Sequence, residues 1–252
     1  MTEEVLLLFD VDGTLTAPRA IITEKMLNFM LQLSKLSKHV TVGIVGGSDE
    51  DKIVEQLGGH TEIASFIFSE NGLVAKEGDL ILGKTSIIEK LGDDKLQDFI
   101  NFCLGYISKL KLPCKRGTFI EFRNGMINVC PVGRSCSIEE RNQFNKFDSE
   151  HNIREDFVAA LLKEFPTLGM QYSIGGQISF DCFPVGWDKT YCLQYVEKKF
   201  DKIFFFGDKT HCGGNDYEIF HDSRIEGRTV NGPDSTILLV NAELEHLGIP
   251  KI

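Results

Sequence analysis

Asp10 and Asp12 follow directly on Val5-Leu6-Leu7-Leu8-Phe9, five apolar residues that predict a strand buried on both faces of a parallel sheet. Two residues apart on an extended chain, the two carboxylates should point to the same side. At the end of a buried strand that pair is costly unless a cation, a proton or a phosphoryl group compensates it. Gly13 allows a sharp turn, and Thr14 adds a hydroxyl and an N–H nearby. A third carboxylate, Asp208, ends a second apolar run, Ile203-Phe204-Phe205-Phe206-Gly207, before Lys209, Thr210 and Gly213-Gly214-Asn215-Asp216. Carboxylates converging from separate strand ends hold a hard cation such as Mg2+ through oxygen. The run 40–45 ends in Gly46-Gly47-Ser48-Asp49, which can offer N–H groups and a hydroxyl to an anion. The same pattern fits Ser48 as an ordinary helix N-cap. Lys189 would offset negative charge shared by Asp10 and phosphoryl oxygens, or sit at a helix start on the surface. A carboxylate nucleophile, a second carboxylate for proton transfer, a cation site and a lysine suit phosphoryl transfer through an aspartyl phosphate.

The elements that must position these groups alternate between strand and helix. Apolar spacing predicts a helix over 23–37 with Thr23 as N-cap, a strand at 40–45, a helix over 49–57 and a strand at 64–69. Glu70-Asn71-Gly72 is a turn signal, with Asn71 either a turn residue or part of the same sheet edge, and 73–82 reads as a hairpin. From about residue 84 the pattern changes. A broken helical stretch over 86–110 precedes a hairpin centred on Asn124-Gly125. Its two-residue turn puts Ile120, Phe122, Ile127 and Val129 on a core face, and Phe119, Glu121, Arg123 and Asn128 on a polar one. Ser137 and Glu140 form a capping-box pattern ahead of a helix. In the strand 177–183, Ser179 and Asp181 share one face, with Ile178, Phe180 and Cys182 on the other. A helix at 189–200 and a strand at 202–206 then restore the first pattern. The fold class expected is therefore α/β, a Rossmann-like core with a parallel sheet (residues 1–81 and 187–252). An α+β cap with an antiparallel sheet (82–186) is inserted into it.

Composition narrows the partners. A formal charge of −10 argues against nucleic acid, whose phosphate backbone needs a basic face. No apolar run approaches the roughly 20 residues of a membrane helix, and the acidic start Met-Thr-Glu-Glu argues against export. Seven cysteines without a CxxC pair read as reduced thiols of a cytoplasmic protein.

The string Asp10-Val11-Asp12-Gly13-Thr14 after an apolar strand resembles the signature of the haloacid dehalogenase superfamily. Residues 9–19, with Thr16, Pro18 and Arg19, resemble the eukaryotic phosphomannomutase family within it. The resemblance continues through 45–49, 69–73, 116–126, 133–137, 173–181, 186–189, 206–210 and 213–220. It implies that Asp10 is the nucleophile and Asp12 the general acid/base. It implies that Asp10, Asp12 through its carbonyl, and Asp208 bind Mg2+, and that Ser48 and Lys189 contact the phosphoryl group. Arg19, Arg123, Arg134, Arg141, Ser179 and Asp181 would hold the sugar phosphate. A second cation is implied beside 220–225, with Phe220, Asp222 and Ile225 as ligands. Ile225 stands where threonine is common, so that site survives on backbone carbonyls and weakens if it needs a hydroxyl. The implied activity interconverts mannose 6-phosphate and mannose 1-phosphate, primed by a hexose 1,6-bisphosphate, and supplies GDP-mannose for glycosylation. The implied assembly is a homodimer formed through the cap. Two other readings use the same residues: a sugar-phosphate phosphatase, in which water accepts the phosphoryl group, and a catalytically silent sugar-phosphate binder.

Overall fold

Strand β1 (Val5–Phe9) is buried along its whole length because it has a parallel neighbour on each side, β2 (Val40–Val45) and β10 (Lys202–Gly207). The computed structural model describes residues 4–252. Its larger sheet runs β11–β10–β1–β2–β3–β4–β5, with β3 at Phe66–Ser69, β4 at Val74–Glu77, β5 at Leu80–Lys84 and β11 at Glu226–Thr229. The pairs from β11 to β3 are parallel, and β4 and β5 close the edge as an antiparallel hairpin.

Alternation along β1 divides the core into two layers. Val5, Leu7 and Phe9 pack with Met26, Phe29, Met30 and Leu33 of helix α1 (Glu24–Ser34). Ile53 of α2 (Glu50–Gln56) and Val240 and Leu244 of α8 (Pro233–His246) join them. Leu6 and Leu8 face the opposite way, onto Phe66, Phe205, Cys192, Leu193 and Val196. Each such side chain contributes about 1.5–3 kcal/mol by leaving water. Thr23 caps α1 as its sequence predicts, accepting the N–H of Met26 at 3.3 Å.

Residues 85–185 cluster as a second unit, and the first unit resumes at Gly186. Here α3 (Ile87–Leu91), α4 (Asp93–Lys109), α5 (Ile138–His151) and α6 (Ile153–Glu164) accompany an antiparallel sheet of order β6–β7–β9–β8. Its strands are β6 (Ile120–Phe122), β7 (Ile127–Val129), β8 (Met170–Ser173) and β9 (Phe180–Pro184). The hairpin has the expected register, with Arg123 N–H on Met126 O at 2.9 Å, and Ser137 and Glu140 complete the capping box. Phe157 of α6 meets Phe180 edge-on, and Phe99 of α4 stacks on Tyr172, so these helices cover one face of the sheet.

Three expectations need correction. Residues 189–195 wind as a 3₁₀ helix rather than an α-helix running to 200. A repeat of three places Lys189 and Cys192 on one buried face. The strand read as 177–183 begins at Phe180, and four residues of mixed polarity hid its partner β8. Phe122, on edge strand β6, is 44% exposed rather than core, since an edge strand has a neighbour on one side only.

Candidate active site

Asp10 stays in the sheet ladder beyond β1, its N–H bonded to Phe206 O at 2.9 Å, so its carboxyl is only 3% exposed at the strand ends. One oxygen takes the Lys189 ammonium, and the other faces the Thr14 hydroxyl at 3.4 Å. Lys189, 1% exposed, also donates to Asp216, whose second oxygen accepts the N–H of Lys209 at 3.0 Å. Asp10, Asp208 and Asp216 bring one carboxylate oxygen each to within 4.8 Å of one another. Three carboxylates against one ammonium leave two negative charges, the charge of one divalent cation. Oδ1 of Asp208 is buried without a hydrogen-bond partner, a state that is costly unless something outside the chain meets it. The all-oxygen donor set and the orphaned oxygen both fit a hard cation such as Mg2+.

Two glycines make this convergence possible. A Cβ on Gly13, at φ +81°, would stand 2.2 Å from Asp208 Oδ2. A Cβ on Gly207 would stand 2.7 Å from Asp216 Oδ2. Burial pushes Asp10 up to about 6 against the opposing pull of Lys189, and Asp216 raises it further. Burial raises Asp208 as well. For Lys189 burial disfavours the charge, but Asp10 and Asp216 outweigh it and hold the ammonium above the ordinary lysine range.

Asp12 has hydrogen-bond partners of its own, distinct from those of Asp10. Past Phe9 the backbone winds, and the N–H groups of Thr14, Leu15 and Thr16 all turn onto Val11 O at 3.0–3.3 Å. The Asp12 carboxylate accepts Arg19 N–H at 2.6 Å and Gln56 Nε2 at 2.8 Å, both on Oδ1. Asp10 and Asp12 nevertheless line one cavity of about 110 Å³, together with Gly47, Ser48, Gln56 and Lys209. Asp49, not Ser48, caps α2, accepting Lys52 N–H at 3.0 Å, so Ser48 faces the cavity without a capping task. Arg19 approaches Asp12 through its backbone, at φ 61°, while its side chain is exposed.

The segment implied to hold a second cation lies just after the short helix α7 (Tyr217–Phe220). Arg224 takes both oxygens of Asp222 at 2.8 Å, and Ile225 N–H takes the Asp222 carbonyl at 3.0 Å. With its carboxylate neutralised, a cation at Phe220, Asp222 and Ile225 would depend on backbone carbonyls.

The second unit carries its own polar cluster on the face of its sheet opposite α4 and α6. Register places Glu121, Asn128, Asp181 and Ser173 in one row across four strands. Asn128, 4% exposed, donates to Asp181 Oδ1 at 2.7 Å and Ser179 Oγ at 3.1 Å, and accepts Arg134 Nη1 at 2.8 Å. Glu121 pairs with both Arg123 and Arg134. Arg141 lies on the first turns of α5, half-buried. Burial pushes the Cys130 thiol up to about 11, while Arg134 and Arg141 both pull against that rise. The structure thus links Arg123, Arg134, Ser179 and Asp181 through Asn128 and Glu121.

Four participants are absent from the residues singled out by sequence: Asp216, Gln56, Asn128 and Glu121. Asp216 had a signal, a carboxylate after Gly213-Gly214 in the loop of Asp208. Asn128 and Glu121 were legible as polar-face residues but not as connectors. Gln56 had none.

A family profile described as eukaryotic phosphomannomutase matches residues 27–246. The chain belongs to the eukaryotic phosphomannomutase family. A phosphomannomutase of Oryza sativa subsp. indica is 59% identical over 233 residues, covering 92% of each chain. One of Drosophila melanogaster is 53% identical over 247 residues, covering 96% of each. A member this similar to named phosphomannomutases is an enzyme of that type. Among solved structures, the C-terminal domain of Candida albicans trehalose-6-phosphate phosphatase aligns with TM-score 0.58 at 17% identity, covering 99% of this chain and 79% of that one. Sucrose-phosphatase from Synechocystis aligns with TM-score 0.55 at 13% identity, covering 98% and 99%. At such identities these neighbours establish the fold alone for this phosphomannomutase family member.

Proposed function

We propose that the chain interconverts mannose 6-phosphate and mannose 1-phosphate through an aspartyl phosphate on Asp10, primed by a hexose 1,6-bisphosphate. Asp10 attacks the phosphorus of the bisphosphate, the bond from phosphorus to the sugar oxygen breaks, and Asp12 delivers its proton to that oxygen. In the second half a hydroxyl of the monophosphate attacks the phosphoryl group, Asp12 takes its proton, and Asp10 is restored. Ser48 and Lys189 bind the phosphoryl oxygens. Mg2+, held by Asp10, Asp208 and Asp216 with the Asp12 carbonyl, would supply positive charge against those oxygens. The second unit is a cap: Arg123, Arg134 and Arg141, with Ser179, Asp181 and Arg19, hold the sugar phosphate that is not reacting. Arginine suits that task through its bidentate fork.

One observation carries the mechanism. Two buried carboxylates, Asp10 and Asp216, share one lysine, and the half-buried Asp208 converges on them with one oxygen orphaned, beside a cavity lined by Asp12 and Ser48. The product would feed GDP-mannose synthesis in the cytoplasm. The free state of all seven cysteines supports that compartment. No helix among the described residues is long and apolar enough to cross a membrane. Exposed apolar side chains such as Leu104 and Phe122 support self-association through the cap.

The test is mannose 1-phosphate with catalytic hexose 1,6-bisphosphate and Mg2+, followed by mannose 6-phosphate formation. Inorganic phosphate released without mannose 6-phosphate would assign water as the acceptor and make the chain a phosphatase.

A further inference from the structure

The turn after β3 is left over once the reacting groups are assigned, and it is bent in an unusual way. Glu70 and Asn71 both have left-handed backbones, at φ 49° and 63°. Two consecutive non-glycine residues in that region are uncommon and persist only where surrounding contacts demand them. The contacts here lead to two loops. Glu70 N–H donates to Ser48 O, and Asn71 N–H to Gly46 O, each at 2.9 Å. The Asn71 side chain then reaches the other way, its Nδ2 donating to Trp187 O at 3.1 Å. Gly72 lies so close to the 3₁₀ helix that a Cβ would meet Cys192 Cα at 2.7 Å.

Trp187 O sits at the point where the chain turns into the helix bearing Lys189. Asp188 caps that helix, accepting Thr190 N–H at 2.9 Å and the Thr190 hydroxyl at 2.6 Å. Lys189 follows, its ammonium shared by Asp10 and Asp216. One residue therefore joins the loop that presents Ser48 to the cavity with the turn that aims Lys189 at Asp10. Asparagine meets both demands: it tolerates the left-handed backbone and carries an amide donor.

We infer that Asn71 is a positioning residue for phosphoryl transfer, fixing the spacing between Ser48 and Lys189 without touching substrate. The inference rests on the proposed assignment of those two residues to the phosphoryl group. Its effect belongs in the rate of the chemical step, because the sugar and its second phosphate are bound by other groups.

Asn71→Gly keeps the left-handed backbone and deletes the amide, so it separates the hydrogen bond from the strain. Asn71→Asp keeps shape and backbone preference while turning the donor into an acceptor facing a carbonyl. For Asn71→Gly we expect kcat to fall by about 10- to 100-fold, the scale of small misplacements at a reacting centre. KM for mannose 1-phosphate should stay within about two-fold, because the groups proposed to bind the sugar phosphate are untouched. Binding of beryllium fluoride with Mg2+, a mimic of phosphorylated aspartate, should weaken by about ten-fold or more when its cradle is misplaced. Asn71→Asp should lose at least as much. Thermal midpoints measured alongside separate this from unfolding, because a merely structural role lowers the midpoint and leaves kcat per folded molecule unchanged. Wild-type kcat and wild-type beryllium fluoride affinity in Asn71→Gly overturn the inference, as does a loss confined to KM. Ser48→Ala measured in parallel locates any failure. If it too retains wild-type kcat, the phosphoryl assignment is wrong and the inference goes with it. If Ser48→Ala loses activity and Asn71→Gly does not, only the positioning role falls.

Discussion

The two polar clusters of this molecule are built on opposite principles. At the core strand ends Asp10, Asp216 and Lys189 have side chains no more than 5% exposed, and acids outnumber bases. On the cap sheet Arg123, Arg134 and Glu121 have side chains 33–38% exposed, and every charge has a partner within the cluster. Burial makes an unbalanced charge expensive, so the core cluster is incomplete without a cation. Exposure makes a balanced set cheap to rearrange, since solvent-accessible pairs contribute about 0–1 kcal/mol. On the proposed reading this division matches the work: the core fixes reacting atoms, and the cap lets its arginines exchange Glu121 for a phosphate. Damage to the core should therefore appear in kcat, and damage to the cap in KM.

Asp10→Asn tests the core side most severely. With the nucleophile gone, turnover should fall by about 10⁴-fold or more, as when the attacking group of a covalent mechanism is deleted. Lys189 would retain Asp216 as partner and one buried charge would disappear. The unfolding midpoint without Mg2+ should therefore stay at or above that of the unaltered protein by calorimetry. Retained activity would remove the covalent intermediate altogether. Gly13→Ala comes next. Its Cβ would collide with Asp208 Oδ2 in a backbone region that alanine avoids. Mg2+ affinity and kcat should then fall together by about 100-fold, while KM in saturating Mg2+ moves little. A Gly13→Ala enzyme with native Mg2+ affinity would contradict the convergence of Asp208 on the Asp10 loop.

A smaller effect comes from protons competing with the cation. Mg2+ needs ionised carboxylates, and burial has lifted Asp10 from 3.8 to about 6. Above pH 6 the carboxylate is available; below it a proton must leave before the cation binds. Apparent Mg2+ affinity, followed by calorimetric titration, should drop by about ten-fold from pH 7 to pH 5 on this group alone. The same shift means that, between 3.8 and about 6, the folded metal-free chain holds a proton the unfolded chain has released. Its stability should rise on this residue's account as pH falls through that window. Mg2+ affinity flat across that range would show that Asp10 is ionised throughout.

Much of this contrast could be read from the sequence, and the unread parts have physical causes. Apolar runs ending in Asp10, Ser48 and Asp208 announced a parallel sheet with chemistry on one edge, because both faces of such a sheet are covered. Asn124-Gly125 fixed the hairpin register and with it the polar face of Glu121, Arg123 and Asn128. What stayed hidden was set by contacts distant in sequence. Asp216 matters because Lys189, 27 residues away, lies between it and Asp10. Gln56 matters because the end of α2 meets the loop of Asp12, 44 residues earlier. The 3₁₀ winding after Asp188 reflects close packing of Gly72 on Cys192, which periodicity within 189–200 cannot express.

The mildest test uses two neighbours on β9. Asp181 joins the polar row and accepts from Asn128 at 2.7 Å, while Cys182, fully buried, turns to the helix-covered face. Alternation along a strand makes them opposite in role though adjacent in chain. Asp181→Asn removes a charge from the arginine-bearing cluster and should raise KM for mannose 1-phosphate several-fold with kcat nearly unchanged, about 1 kcal/mol of binding. Cys182→Val replaces a small buried hydrophobe with a β-branched one suited to a strand, and should change stability by less than about 1.5 kcal/mol and KM not at all. If Cys182→Val alters KM as much as Asp181→Asn does, the two faces of the cap sheet are not functionally separate. The division between an incomplete core and a rearrangeable cap would then need another physical basis.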